Sequence, residues 1–384
     1  MAIFHELSIA ARRWRQVRTQ PASKYLAHSE FAQSCERLLA RVASDAIAHH
    51  AIYYLPSTER PWFDTGLDLA AGERVTLICA GRVFLSEPLD LWVGPQFQLW
   101  TRVGEAGRIF NNEGNGNSFV IEQAGRLYFA GALPGQWGDE TGRLAPGDND
   151  SSALKGGISI LVIRWRTSIE SGLEAVLEQG DVAALFAEER ARLKRNPATP
   201  AGWDYLWFLG RSTIFQQGQA HDRDCIQCRT RENVGILQKP ASLPLTPSTT
   251  LAWDWKIDAL PSDLPEDSAL SHDYMSIAVE FNNGRDITYY WSRELPVGKG
   301  YWCPLPAWKD REFHIVIRSG AQDLGRWVRD ERNLFEDYRR YIGAPPSRIV
   351  RVWLIAVSLF QRKEGVSSYA NIQVADGDVV TRIL

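Results

Sequence analysis

The sequence lacks the motifs and long apolar runs of several large protein classes. It contains no GxGxxG after a strand pattern, no GxxxxGK[ST], no HExxH and no GxSxG, which disfavours nucleotide-dependent and common serine-hydrolase chemistry. No window approaches the roughly 18 apolar residues of a membrane span, so none is expected. The formal net charge of -3 provides no broad basic field. We therefore expect no nucleic-acid partner.

Cysteine is also scarce, and its spacing suggests no disulfide framework. The five cysteines are an odd number and lie scattered along the chain. This usage fits a reducing compartment. At the N-terminus, His5 and Glu6 interrupt the apolar residues and an arginine cluster follows, whereas a signal peptide places basic residues before an unbroken apolar stretch. We therefore expect a cytoplasmic protein.

What is present is a globular chain of 384 residues, 45% of them hydrophobic, which is long enough for two domains. Short β-branched and aromatic runs separated by turn residues predict strands, whereas three- and four-residue spacing predicts helices. The predicted fold is mainly β: two β-sandwich (jelly-roll-like) domains joined by a helical connector, with an N-terminal helical segment. The predicted ranges are 1–61 for the helical segment, 62–166 for the jelly roll, 167–202 for the connector and 203–384 for the larger sandwich.

Capping signals predict where individual helices begin and end. In the connector, Gly180 splits two helical patterns, and Asp181 is placed to cap the second. In the C-terminal region, one helix with the sequence NLFEDYRRYIG is closed by Gly343.

The first β region carries the stretches LDLAAGERVTLICAGRV and LPGQWGDETG, followed by GGISILVIRW. Together these stretches resemble the bacterial calcium-dependent galactophilic lectins. In those lectins the Pro-Gly-containing turn supplies calcium and sugar ligands. Here Ala132 occupies the first ligand position, and Asp139 and Glu140 occupy the later two. The resemblance implies a jelly roll whose ion cage has lost at least one ligand.

A calcium site in this turn needs more oxygen ligands than two carboxylates supply, because a hard cation takes six to eight. Asp148 and Asp150, in the nearby PGDNDSS loop, could complete such a site with Asp139 and Glu140. The alternative is a structural turn whose glycines supply positive φ and whose acidic side chains are solvated. Both interpretations stay open.

The second β region carries HDYMSIAVEF, YYWSRELPVG, IVIRSG, GRWVRDERNLFEDYRRYIGAPPSRI and YANIQV in this order. These pieces resemble the uncharacterised domain of unknown function family numbered 3047. The resemblance implies a β-sandwich and no agreed activity. The segment AVSLFQRKEG departs from the Asp/Thr-rich segment expected there.

Two cysteines and a histidine in HDRDCIQC are candidate zinc ligands. His221, Cys225 and Cys228 have spacings that could bring three ligands together, and Cys303 is a fourth candidate only if the fold brings it close. Ordinary thiols on a strand or hairpin are the favoured interpretation, so zinc is disfavoured.

A polar set in the second sandwich could support proton abstraction. His272 or His314 would act as the base, Arg318 as the anion stabiliser, and Glu331 or Asp273 as the partner. Strand alternation predicts that the second histidine and the arginine share one face. Caps, turns and a surface ion pair are the structural alternative.

The chain contains 15 tryptophans, which suggests either large aromatic cores or stacking surfaces for sugars. Most are expected in the core, with Tyr289, Trp291 and Trp327 in a ligand cleft. The favoured function is a protein that binds a carbohydrate or similar polyol in an aromatic-lined cleft. The alternative is a cofactor-independent lyase, dehydratase or isomerase. Whether the chain is an enzyme, and whether it forms a homo-oligomer, stays open.

Overall fold

Strands dominate the chain and belong to two compact units, which confirms the mainly β fold class. The structure is a computed structural model that describes residues 2–19, 26–59, 62–133, 135–146, 151–196, 198–220 and 222–384. The N-terminal unit comprises residues 17–196 and 207–210. The C-terminal unit comprises residues 2–16, 198–206 and 211–384.

The described helices are α1 Ala2–Thr19, α2 His28–Leu39, α3 Pro95–Gln98, α4 Ile169–Gln179, α5 Leu185–Arg195 and α6 Leu334–Tyr341. The strands of the N-terminal unit are β1 Ile47–Pro56, β2 Phe63–Leu69, β3 Arg74–Ser86, β4 Leu91–Val93, β5 Leu99–Val103, β6 Phe110–Asn111, β7 Gly116–Val120, β8 Gly125–Gly131 and β9 Lys155–Trp165.

The strands of the C-terminal unit are β10 Asp204–Tyr205, β11 Phe215–Ala220, β12 Arg223–Thr230, β13 Val234–Pro244, β14 Thr249–Ala259, β15 Tyr274–Phe281, β16 Asp286–Ser292, β17 Gly300–Trp302, β18 Glu312–Ser319, β19 Val328–Asn333, β20 Arg348–Val357, β21 Gly365–Asp376 and β22 Val379–Arg382.

Two antiparallel sheets form the framework of the N-terminal unit. One has the strand order β1-β9-β3-β4, with β7 also paired to β3, and the other has the order β2-β8-β5-β6. Strand β1 lies in the segment for which helix was expected, and it pairs with β9 along its length. The pattern was missed because His49 and His50 interrupt its apolar residues.

Helices α2, α4 and α5 pack on the N-terminal unit. Phe31, Cys35 and Leu38 of α2 are buried, and they recur at the three- and four-residue spacing typical of one helix face. Leu173 of α4 and Phe186 of α5 join the same core cluster. The segment expected to connect the two domains therefore belongs to the N-terminal unit. Among the described residues, no helix is both long and apolar enough to cross a membrane.

The predicted capping signals operate in the structure. Gly180 ends α4 with φ +135°. The N-cap position of α5 is occupied by Ala184 and not by Asp181, but the Asp181 carboxylate accepts the backbone N–H of Phe186 in the first turn at 3.1 Å. At α6, the Asn333 side chain caps the first turn, and Gly343 follows the helix with φ +135°. These signals act locally and so can be read from the sequence.

The C-terminal unit is a β-sandwich of two sheets. The seven-stranded sheet has the order β10-β13-β20-β15-β16-β18-β17, and the six-stranded sheet has the order β11-β12-β21-β14-β19, with β22 paired to β21. Strands β16 and β18 are parallel. The core of the unit includes Trp253, Trp255, Tyr289 and Trp291.

Helix α1 contacts the C-terminal unit through polar side chains. His5 Nε2 lies 2.8 Å from an Asp267 carboxylate oxygen, and Ser268 donates to Glu6 at 2.6 Å. Arg12 pairs with Glu294. The N-terminal helical segment is therefore divided: the start of α1 belongs to the C-terminal unit, and α2 belongs to the N-terminal unit.

Candidate functional site

A buried polar layer lies on the outer face of the seven-stranded sheet. Alternate side chains of a strand point to opposite faces. Ile287 and Tyr289 of β16 join the core between the sheets, while Thr288 lies on the other face. Glu312 and His314 of β18 lie on that outer face too, and neither is more than 4% exposed. Burial of this much polar surface requires internal partners.

Four side chains with metal-ligand or acid–base chemistry converge in this layer. His272 precedes β15, Cys303 follows β17, and Glu312 and His314 lie on β18. Their four ligand-type atoms lie within 4.8 Å of one another. Cys303 Sγ is 3.4 Å from His272 Nε2, and the two imidazole rings are 4.8 Å apart between centroids.

Neighbouring groups orient two of these side chains. His272 Nδ1 lies 2.5 Å from the backbone carbonyl of Glu266, which can only accept a hydrogen bond. The proton is therefore on Nδ1, and the Nε2 lone pair faces Cys303. Glu312 Oε1 accepts hydrogen bonds from Tyr274 Oη at 2.9 Å and from Thr288 Oγ1 at 3.2 Å.

The His314 ring is held by contacts with neighbouring rings, among them His272 and Tyr274. Its ring lies parallel to Tyr301, 5.1 Å between centroids. Neither ring nitrogen has a hydrogen-bond partner within the described part of the chain, because Nε2 is 3.6 Å from Glu312 Oε1. Buried polar atoms in native proteins are almost always paired, so these two nitrogens are exceptional.

Burial sets the charge state of the layer. It lowers the pKa of His272 to about 3, with the nearby His314 contributing, and it raises the pKa of the Cys303 thiol. Burial and the charge of Glu312 raise the pKa of Asp286 well above its usual value. A histidine with a pKa near 3 is a weak general base at neutral pH, but its neutral ring can still donate a lone pair.

The structure brings together only part of the predicted catalytic set. His272 and His314 are neighbours. The Asp273 carboxylate instead accepts the backbone N–H groups of Phe360 and Gln361, at 2.9 and 2.5 Å, and burial raises its pKa to about 6. Glu331 is exposed on β19, in the other sheet of the sandwich.

A β-bulge moves Arg318 to the opposite face of the sheet from His314. Val316 and Arg318 pair with consecutive residues of β16, so Ile317 is an extra residue in β18. Arg318 then bonds to Asp330 of the six-stranded sheet. The expectation that alternation continues to Arg318 is therefore wrong. The histidine–arginine arrangement that the lyase, dehydratase or isomerase alternative needs is not formed.

Two of the three aromatic residues expected in a ligand cleft lie in the core. Tyr289 stacks on Trp253 with a centroid distance of 5.6 Å, and Trp291 contacts Trp255 at 5.6 Å. Neither Tyr289 nor Trp291 is more than 1% exposed, so neither offers a face to a ligand. Alternation along β16 places both toward the opposing sheet. Trp327 is half-buried.

Trp327 borders a polar patch on the outer face of the six-stranded sheet. The Arg223 guanidinium lies 5.2 Å from the Trp327 ring centroid, and its Nη1 donates to Asp254 at 3.1 Å. The same carboxylate accepts from Arg329 at 3.3 Å and from Asn371 at 2.7 Å. We call these five residues the Trp327 patch. Asp254 faces outward because Trp253 and Trp255, on either side of it, face the core.

The predicted lectin turn is held together by its own side chains. Asp139 accepts the backbone N–H of Thr141 at 2.9 Å and an Arg143 hydrogen bond at 2.8 Å. Glu140 pairs with Arg108 at 2.9 Å. Each carboxylate of this turn that was predicted as a metal ligand therefore faces an arginine, an arrangement that favours the structural interpretation.

Two predicted ligand sets extend outside the described residues. Asp148 and Asp150 of the calcium set are outside the described residues, so the calcium site stays a prediction. His221 of the zinc set is outside them as well. Cys228 points into the core, and Cys225, three residues earlier on β12, belongs to the opposite strand face. This geometry separates the two thiols that zinc would require.

Sequence reasoning missed Glu312 and the contact of Cys303 with His272. One signal was present: Glu312 and His314 are two residues apart on a strand and must therefore share a face. The contribution of Cys303 required the pairing of β17 with β18. The hydrogen bonds of Asp254 could not be predicted from the sequence either, because its partners come from three different strands.

No curated protein matches the chain. Among solved structures, the N-terminal domain of EclA, described as a PllA-like lectin, is 18% identical with a TM-score of 0.24, covering 32% of this chain and 99% of that chain. The tandem CBM22-1-CBM22-2 domain of Paenibacillus barcinonensis Xyn10C is 11% identical with a TM-score of 0.22, covering 87% and 99%.

An exo-beta-agarase is 10% identical with a TM-score of 0.26, covering 47% of this chain and only 24% of the agarase.

The family comparison confirms the resemblance expected for the second β region: residues 201–373 match the model of the family described as protein of unknown function (DUF3047).

Proposed function

We propose that the C-terminal sandwich binds a carbohydrate or similar polyol at the Trp327 patch. The proposal depends on one observation: the half-buried Trp327 indole, Arg223 and the hydrogen-bonded Asp254 carboxylate lie next to one another on one face of the sheet. An aromatic ring beside a few placed polar groups is the combination that recognises a ligand with apolar C–H faces and hydroxyl edges. The site is a surface of the sheet and not the cleft first expected.

The polar groups of the patch complement hydroxyl groups. A sugar hydroxyl can donate to the Asp254 carboxylate and accept from the donors of Arg223 or Asn371. Three donors already fix the orientation of the carboxylate. A polar group held in place before binding loses less conformational freedom when the ligand arrives.

The direct test is calorimetric titration of the protein with a panel of monosaccharides, oligosaccharides and alditols. Wild-type protein should bind at least one of these polyols, and Trp327→Ala should weaken that binding at least about tenfold, which is about 1.4 kcal/mol. Near-ultraviolet circular dichroism would establish that the variant is folded.

Trp302 provides a matched control. It is 36% exposed and lies beside Arg285, with the guanidinium 5.4 Å from the ring centroid, but it belongs to the other sheet. Trp302→Ala should leave polyol affinity unchanged. Equal affinity in wild type and Trp327→Ala, or loss of binding in Trp302→Ala alone, would refute the proposed site.

A further inference from the structure

The four-residue cluster of the buried polar layer has the composition of a metal site. We propose that His272, Cys303, Glu312 and His314 bind one zinc ion or a closely similar divalent transition-metal ion. The residues belong to the seven-stranded sheet and its adjoining loops, whereas the Trp327 patch lies on the six-stranded sheet. The metal proposal therefore stands independently of the proposed carbohydrate function.

The donor atoms select the class of ion. Two imidazole nitrogens, one sulfur and one carboxylate oxygen are ligands that zinc accepts together. Calcium and magnesium require predominantly oxygen ligands, which this cluster does not offer. Thiolate and imidazole donors in one site favour a borderline-soft transition-metal ion.

Two distances match the edges of a coordination tetrahedron. Bond lengths of about 2.3 Å for sulfur and about 2.0–2.2 Å for nitrogen and oxygen give edges of about 3.3–3.6 Å. Cys303 Sγ and His272 Nε2 are 3.4 Å apart, and His314 Nε2 and Glu312 Oε1 are 3.6 Å apart. Because all four atoms lie within 4.8 Å, small side-chain rotations would complete the tetrahedron.

The surroundings of the cluster resemble an outer coordination shell. Metal-ligating histidines usually donate their second N–H to a carbonyl or carboxylate, as His272 does to the Glu266 carbonyl. Ligating carboxylates are usually hydrogen-bonded as well, as Glu312 is to Tyr274 and Thr288. The same ion would give His314, which is fully buried with two unpaired nitrogens, a partner for one of them.

Charge balance also favours occupation by a divalent ion. A thiolate and a carboxylate together neutralise a dication, while both imidazoles bind as neutral ligands. The complete site would therefore bury no net charge in a layer where each ligand residue is at most 4% exposed.

The position of the ligands indicates what the ion would do. His272 comes from the loop before β15, Cys303 from the segment after β17, and the other two ligands from β18. The ion would join these three segments. With four protein ligands and no exposed position, the site is of the closed, structural kind, in which metal binding adds to folding stability.

The test uses purified full-length protein. Metal content is measured by mass spectrometry, the metal is removed with a chelator, and the chain is titrated with Co²⁺ as a spectroscopic substitute for Zn²⁺. We expect about one zinc per chain and, with Co²⁺, a thiolate-to-metal charge-transfer band that saturates at one equivalent. Cys303→Ser should abolish the band, and His314→Gln should weaken Co²⁺ binding at least tenfold.

Cys228→Ser is the matched control, because Cys228 is a buried thiol of the same unit outside the cluster. It should keep the wild-type spectrum. If Cys303→Ser does not fold, the wild-type and Cys228→Ser titrations still decide the matter. A chain that binds no Co²⁺ and unfolds at the same temperature with and without Zn²⁺ would show that the cluster is only a hydrogen-bonded packing layer. Loss of the band in Cys228→Ser would equally overturn the proposal.

Discussion

Arg318 and Asp330 form a two-point ion pair between the two sheets of the C-terminal sandwich. Nε to Oδ2 is 2.7 Å and Nη2 to Oδ1 is 3.0 Å. Trp255 Nε1 donates to the same Oδ2 at 2.8 Å, and the guanidinium lies 5.6 Å from the Trp291 ring centroid. This geometry assigns Arg318 to the packing of the sandwich and not to the histidine layer.

Asp330→Ala should lower the free energy of unfolding by about 2 kcal/mol, because it removes the hydrogen-bond acceptor of an indole N–H and of a partly buried guanidinium, which keeps the Asp323 carboxylate at 3.6 Å. Urea denaturation would measure the change. Arg339→Ala is the control: its pair with Glu336 is exposed, so the expected loss is below about 0.5 kcal/mol. Equal effects of the two substitutions would contradict this assignment of Arg318.

Asp337 anchors helix α6 to the core. Its carboxylate accepts from Tyr289 Oη at 2.9 Å and from Arg332 Nε at 2.8 Å, and it is 5% exposed. Asp337→Ala should cost about 2–3 kcal/mol of unfolding free energy, since both donors lose their partner. Asp337→Asn keeps a side-chain oxygen as an acceptor and should lower the free energy of unfolding by less. Thermal and urea unfolding would rank the variants, and the reverse order would count against the anchoring role.

Tyr274→Phe tests the outer shell of the proposed metal site without removing a ligand. It deletes the hydroxyl that donates to Glu312 and retains the ring. Loss of an outer-shell partner typically lowers metal affinity about 10- to 100-fold, so Co²⁺ titration should show a decrease in that range with the charge-transfer band retained. Tyr290→Phe, which deletes the hydroxyl that bonds Tyr301, should change affinity less. Unchanged affinity in Tyr274→Phe would argue against Glu312 as a ligand.

The thiols of the native protein should be unreactive. All five cysteines are buried, and burial raises the pKa of Cys35 and of Cys79 to about 12. At pH 8 both thiols are therefore protonated, and a colorimetric disulfide reagent needs the thiolate. We expect no rapid reaction in native protein and five reactive thiols after unfolding with a chelator. A stoichiometric rapid phase at neutral pH would reveal a thiol accessible in solution.

Calcium should not raise the thermal midpoint through the lectin turn, since Asp139 and Glu140 already pair with arginines. The Thr141 and Arg143 hydrogen bonds lower the pKa of Asp139 to about 2. Their stabilisation is therefore complete above the ordinary pKa near 4 and disappears as the pH falls toward 2. Carbon-detected NMR titration would follow this carboxyl. A calcium-induced midpoint shift abolished by Asp139→Ala would contradict this expectation and support the calcium interpretation.

Local patterns anticipated much of the fold. The split at Gly180, the acceptance of a first-turn N–H by Asp181 and the end of the last helix at Gly343 depend on a few neighbouring residues, and the structure forms each of them. The buried face of α2 follows from helical spacing in the same way. Strand β1 was not predicted, because its two histidines interrupt the apolar pattern of the segment. Its strand conformation depends on pairing with β9, which is distant in the sequence.

The candidate sites could be predicted only in part. His272 and His314 were selected for their chemistry, and they do meet. Cys303 was considered for zinc, but with Cys225 and Cys228 as partners, which lie on opposite faces of one strand. Of the three aromatic residues predicted for a ligand cleft, Trp327 alone lies outside the buried core. Alternation along a strand that is buried on both faces does not reveal which face is the core.

The sequence by itself determined the mainly β composition, several helix ends and the resemblance of the second β region to a known family model, because periodicity, capping and motif order are properties of short segments. Only the tertiary structure decided that His272, Cys303, Glu312 and His314 converge and that Arg318 leaves their face. The order in which strands pair, and one extra residue in a bulge, depend on contacts between segments far apart in the chain. Local periodicity does not encode such contacts.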